Sequence, residues 1–144
     1  MEKKQLPRGI RNNNPLNIVH GRSRWQGMAK EQTDRRFVQF VSMEYGIRAA
    51  FRNLQSYSRL RKPCVTLRQY ITRWCPPTEQ GNDTRRYIQF VSKEACVMPD
   101  ALLPQPSKAE FTWCCIVEAM IRMECGVAVP MPVITKAYHM AFNL

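Results

Sequence analysis

The chain has 144 residues, 44% of them hydrophobic, and a formal net charge of +11. That length makes one domain with a real core, and no apolar run is long enough to span a bilayer as a helix. A basic surface favours polyanions, which leaves nucleic acid, anionic lipid and the carboxylate-bearing bacterial wall as partner classes.

The start, Met1 to Gly9, carries charges with no apolar stretch behind them and does not read as a Sec signal. The expectation is a protein made in the cytoplasm, with residues 1–10 as a flexible lead. Arg11-Asn12-Asn13-Asn14-Pro15-Leu16-Asn17-Ile18 follows. Amides both donate and accept hydrogen bonds, so Asn13, Asn14 and Asn17 suit sugar hydroxyl and acetamido groups. They suit the capping of turns equally well. Arg35–Val41 has strand-like composition and pairs in principle with Leu16–Val19 across a long link through Gly21, Trp25 and Gly27.

Helical periodicity takes over at Ser42, an N-cap with Ile47, Ala50, Phe51 and Leu54 on one face. Thr66 caps a second helix carrying Leu67, Tyr70, Ile71 and Trp74, which Cys75-Pro76-Pro77 stops. Asn82 or Asp83 opens a third, with Tyr87, Ile88, Val91 and Ala95. Ser107-Lys108-Ala109-Glu110 reads as a capping box. The helix behind it places Phe111, Cys114, Val117 and Ile121 on one stripe and ends at Cys125-Gly126. Glu118 and Arg122 form an i, i+4 pair on it. A last short helix follows Pro130 and Pro132, with Val133, Ala137, Tyr138 and Ala141 inward. Five helices and a small irregular β-region predict a mainly α, α+β domain over residues 1–144.

Glu124 stands out among the acids. It lies three residues beyond Ile121 and seven beyond Val117, so it shares their apolar stripe. It also sits in the last turn of its helix, where the macrodipole disfavours negative charge. Desolvation and dipole both raise its pKa, as a general acid requires near neutral pH. The same pattern fits a Glu that reaches solvent or bonds an Arg. Glu44 belongs to the first turn of a helix, where a carboxylate helps the dipole. Glu31 and Asp34 lie in the irregular segment and are candidates for a second catalytic carboxylate; Glu79, in the turn after Pro76-Pro77, reads as solvated. Trp25, Trp74 and Tyr87 are candidate stacking surfaces for sugars, or ordinary core.

The six cysteines (Cys64, Cys75, Cys96, Cys114, Cys115, Cys125) include no C-x-x-C spacing, and there are two histidines, His20 and His139. The expectation is reduced, mostly buried thiols, with disulfides after export as the alternative, and no metal or cofactor.

Arg8–Ile18, Trp25-Gln26-Gly27, Phe37–Phe40 and Ser42–Ala49 together resemble a module of bacteriophage and prophage proteins, which usually has Gly where this chain has Leu16. Arg73–Thr84 with Tyr87, and Ala119–Gly126, resemble that module's later blocks. The order of the asparagine block, the W-x-G and the F-x-x-F is also similar to autolysin and flagellar-type glucosaminidases of the lysozyme superfamily. There a helix ending in Glu-Ser-Gly precedes the asparagines and supplies the general acid. Here Met123-Glu124-Cys125-Gly126 ends a helix near the other terminus, so the resemblance implies a circularly permuted lysozyme-like domain, with Cys125 in place of Ser.

It further implies cleavage of peptidoglycan glycan strands by a muramidase, glucosaminidase or lytic transglycosylase. Glu124 would be its acid, and Asn13, Asn14, Asn17, Trp25, Trp74 and Tyr87 its substrate contacts. Such an enzyme acts at the wall or periplasm after release or delivery, with a holin, an immunity protein or a delivery system as partner. A non-catalytic virion or wall-binding protein is the alternative. A small basic nucleic-acid binder ranks below both, since the cations are scattered and no recognition motif is visible.

Overall fold

The computed structural model describes residues 5–79 and 81–144. Among the described residues six α-helices run in chain order: α1 (Arg8–Arg11), α2 (Met43–Tyr57), α3 (Leu67–Trp74), α4 (Thr84–Ala95), α5 (Glu110–Cys125) and α6 (Met131–Phe142). The protein is mainly α-helical, as its periodicity predicts, and five of the helices exceed one or two turns.

Local chemistry fixes most of the boundaries. Ser42 caps α2 by accepting from the Tyr45 amide, and Thr66 and Gln69 form a reciprocal capping box on α3. Asp83 caps α4 by accepting from Arg86. Gly126 ends α5 in the left-handed region, φ 70°, with its amide bonded to the Arg122 carbonyl.

α5 is the axis of the molecule. Trp113, Ile116, Val117, Met120 and Ile121 are fully buried along it, each stabilising the fold by roughly 1.5–3 kcal/mol relative to exposure. It packs against α4 on one side and α6 on the other, while α6 also packs on α2 through an edge-to-face pair of Phe51 and Tyr138 at 5.2 Å. Helix burial on several sides makes the stripe on α5 wider than a single amphipathic face. Phe111, placed on that stripe by its spacing, is 82% exposed, and Trp113 occupies the core instead.

The start of α5 also differs from the sequence reading. Pro106–Lys108 forms a 3-10 turn and the helix begins at Glu110, with no side-chain cap at Ala109. The turn is anchored from outside: Tyr138 Oη donates to the Pro106 carbonyl at 2.7 Å, and the Ser107 amide donates to Gln55 Oε1 at 2.8 Å. These tertiary bonds take the place of the local capping box.

Residues 8–10 of the expected flexible lead are structured. Arg8–Arg11 is a helical turn, and the Arg8 guanidinium makes two 2.7 Å bonds to Asp34. The remainder of that expectation, and the signal-sequence reading, fall partly on residues 1–4, outside the described residues. The β-region is looser than a hairpin. Val19 and Phe37, and Met28 and Phe40, pair as isolated antiparallel bridges, with no longer strand among the described residues.

The asparagine block holds this irregular region to α2. Asn14 is fully buried; its Nδ2 donates to the Ile18 and Val38 carbonyls and its Oδ1 accepts from the Ile18 amide. Asn13 takes a positive φ of 53° and donates to the Phe40 carbonyl at 3.0 Å. Gly46 of α2 lies against this loop so closely that a Cβ there would overlap the Asn13 carbonyl. Gly46→Ala is therefore expected to destabilise the fold by about 1–3 kcal/mol, as forced overpacking does. Chemical denaturation checks this, and an unchanged midpoint would show the loop free to move away.

Candidate active site

A cleft of about 690 Å³ opens between the irregular N-terminal region and the segment joining α3 to α4. Leu16–Val19, Trp25 and Phe37 face it from one side, Trp74 to Tyr87 from the other, and Glu124 comes up from the end of α5. That size suits a ligand of several rings.

Three segments converge on the Glu124 carboxyl. Trp74 Nε1 donates to Oε2 at 3.0 Å, Tyr87 Oη donates to the same oxygen at 2.7 Å, and Asn17 Nδ2 donates to Oε1 at 3.3 Å. Burial pushes this carboxyl from 4.5 up to about 7, against all three hydrogen bonds, which pull the other way. Its position in the last turn of α5 opposes ionisation further. The side chain is open to the cleft on one side and packed by protein on the others.

The partners are themselves held. Asn17 takes φ 55° and donates its amide to the Asn14 carbonyl at 3.0 Å. An asparagine tolerates that left-handed turn better than most residues. Cys125 donates its thiol to the Pro15 carbonyl at 3.1 Å, tying the end of α5 to the loop that bears Asn17. Burial first, then the nearby Glu124 charge, raises this thiol to about 12, so it stays a donor. On the opposite wall, Asn82 donates to the Pro76 carbonyl at 2.8 Å and Thr84 Oγ1 donates to the Cys75 carbonyl. These bonds fix the turn between Trp74 and Tyr87. The Tyr87 hydroxyl is raised well above 10 by burial first, then by Glu124, and remains a proton donor.

The structure brings together five of the residues singled out in the sequence: Glu124, Asn17, Trp25, Trp74 and Tyr87 all line the cleft. Asn13 and Asn14 do not; their amides are consumed in bracing backbone carbonyls. Asp34 does not either. Its carboxylate is bound by Arg8, by Asn12 at 2.9 Å and by the amides of Arg36 and Phe37, and the Arg8 bond above all holds it well below the usual carboxylate range. Glu31 is exposed and lies outside the cleft lining. Glu44 does not line the cleft and lies 3.8 Å from Lys136.

The carboxylates that do line the cleft besides Glu124 are Glu79 and Asp83, and Asp83 is engaged as the cap of α4. Arg36, Tyr57 and Arg86 also line it and were not singled out by the sequence. Tyr57 carries a recoverable signal as an aromatic at the end of α2, beyond the residues of its apolar face; the arginines carry none. All six cysteines are free thiols, two of them buried, three half-buried and Cys96 exposed. Among the described residues, no group of three or more His, Cys, Asp or Glu is placed to hold a metal ion. No helix of the described residues is long and apolar enough to cross a membrane.

No protein-family model matches the chain. Over 126 residues it is 36% identical to protein P5 of Pseudoalteromonas phage PM2, covering 85% of this chain and 73% of the phage protein. The chain belongs to the protein P5 family. That kinship ties it to a bacteriophage protein; the chemistry has to come from the cleft. For this member of the P5 family, the raised Glu124 pKa has a stability consequence. Below pH 4.5 the carboxyl is protonated in both folded and unfolded chains, and the contribution is fully present; it is lost as pH rises from 4.5 through about 7. The loss amounts to roughly 3 kcal/mol. Glu124→Gln is expected to remove this slope, so that the variant matches the natural chain at pH 4 and exceeds it at pH 8 in denaturant melts. A slope that persists in the variant would assign it to another group.

Proposed function

We propose that this protein cleaves the glycan strands of peptidoglycan, with Glu124 as the general acid. The observation that carries the reading is a carboxyl with pKa near 7, tethered by three donors at the wall of a cleft roomy enough for sugars. The lysozyme-like, circularly permuted relationship belongs to the same proposal.

The hydrogen-bond pattern gives the acid a direction. Oε2 already accepts from two donors, so the proton resides on Oε1, the less engaged oxygen. Glu124 delivers it to the bridging oxygen between N-acetylmuramic acid and N-acetylglucosamine. The carboxylate left behind is met by donors already in place, which costs little reorganisation at the moment of bond breaking. The sugar ring meanwhile gains positive charge. Glu79 lines the cleft and is the carboxylate open to stabilising it or to activating water. Where the substrate's own acetamido or 6-hydroxyl group completes the reaction, Glu79 is dispensable. Glu31 and Asp34, exposed and Arg8-bound respectively, have no part in this mechanism.

Bacteriophage kinship also supports a virion part that does not cut, acting as a structural or wall-binding piece. Clearing of a purified peptidoglycan suspension separates the two. The natural chain is expected to clear it, and Glu124→Gln to slow clearing by about 10²–10⁴-fold, the size of a general-acid contribution. Glu44→Gln is expected to clear like the natural chain. The acid must be protonated, so the rate falls as pH rises through about 7. Full activity in Glu124→Gln would refute the assignment, and no clearing by a folded natural chain would favour the virion reading.

A further inference from the structure

Beyond Tyr57 the surface dips again. A second groove, about 760 Å³, is lined by Leu60, Lys62, Cys64, Arg73 and Pro76 among others. Tyr57 lines both this groove and the Glu124 cleft, so the two are neighbours that share one aromatic side chain. Lys62, Arg68 and Arg73 line the groove, and no lining residue is acidic. Asp100 engages Arg68 through two bonds of 2.7 and 3.0 Å. Among the described residues, no carboxylate lies within ion-pair distance of Lys62 or Arg73. The Arg73 guanidinium lies over the Tyr57 ring, 5.5 Å from its centroid, which places a cation at the junction of the two hollows.

We infer that this groove seats the peptide stem of the substrate strand, with Lys62 and Arg73 receiving its carboxylates. The inference rests on the glycan-cleaving reading above and names the substrate class more narrowly: a stem-bearing strand rather than a bare polysaccharide. A stem branches from the muramic acid sugar, carries small apolar side chains and ends in free carboxylates. The groove offers the matching set: Leu60 and Pro76 for the apolar part, two cations for the charges. Its junction at Tyr57 allows one branched molecule to lie in both hollows, sugars beside Glu124 and peptide beside Lys62. An uncharged chain in the cleft would make no use of these cations.

The test compares cleavage by the full chain of two substrates: glycan strands carrying their stems, and the same strands stripped of stems by an amidase. The natural chain is expected to prefer the stem-bearing strands by about tenfold in kcat/KM at low salt, the yield of one charge-assisted hydrogen bond. The preference shrinks as salt rises. In the double variant Lys62→Gln/Arg73→Gln it falls toward one. Arg73 also touches Tyr57, so Lys62→Glu serves as the second variant: Lys62 does not line the Glu124 cleft, and reversing its charge is expected to lower the preference by itself. Equal natural-chain rates on both strands, or a preference that survives Lys62→Glu, overturn the inference while leaving glycan cleavage standing. Cleavage of neither strand removes the function and the inference together.

Discussion

Three hydrogen bonds to one carboxyl organise this molecule. Glu124 at the end of α5 is reached by Asn17, Trp74 and Tyr87, which lie 107, 50 and 37 residues away in the chain. Those bonds join the irregular N-terminal region, the end of α3 and the start of α4 at a single point. A carboxyl without such partners could not be buried at tolerable cost. With them, burial still outweighs the donors, so the group is poised between its protonated and ionised forms near pH 7. The balance gives a proton that is held and can be given up.

The rest of the fold serves that point. α5 is anchored in the core by Trp113, Ile116, Val117, Met120 and Ile121, all fully buried along its length. Cys125 fastens its last turn to the Pro15 carbonyl, so the acid and Asn17 share one support. Asn13 and Asn14 hold the loop to the Phe37–Phe40 segment, and Gly46 lets α2 come up against it. On the far wall, Asn82 and Thr84 pin the turn that carries the chain from Trp74 to Tyr87. The site therefore rests on helices and pinned turns, where geometry is held more tightly than on free loops.

Much of this was legible from residue pattern, and the reasons divide cleanly. Helix caps at Ser42 and Thr66 depend on neighbours three residues away and read correctly, and of the two starts open for α4, Asn82 and Asp83, the cap is Asp83. Glu124 was legible because its oddity is local: an acid on an apolar stripe at the negative end of a helix. Its partners were only candidates, since spacing along the chain says nothing about meeting in space. The asparagine block misled in part. Asn17 reaches the site, whereas Asn13 and Asn14 satisfy carbonyls of an irregular segment that has no sheet to do so. Asp34 was drawn away by Arg8, a residue of the supposedly flexible start. Phe111 and the Ser107 box failed for a common reason: α5 is packed on several sides and its entry is fixed by Tyr138 and Gln55, so tertiary contacts override the local signal there.

The most direct measurement is mass spectrometry of the soluble fragments released from purified peptidoglycan by the natural chain and by Glu124→Gln. Glycosidic cutting predicts disaccharide-stem fragments, ending in muramic acid, glucosamine or an anhydro sugar, from the natural chain and almost none from the variant. Fragments cut in the peptide, or the same glycan ends from both proteins, would contradict the account.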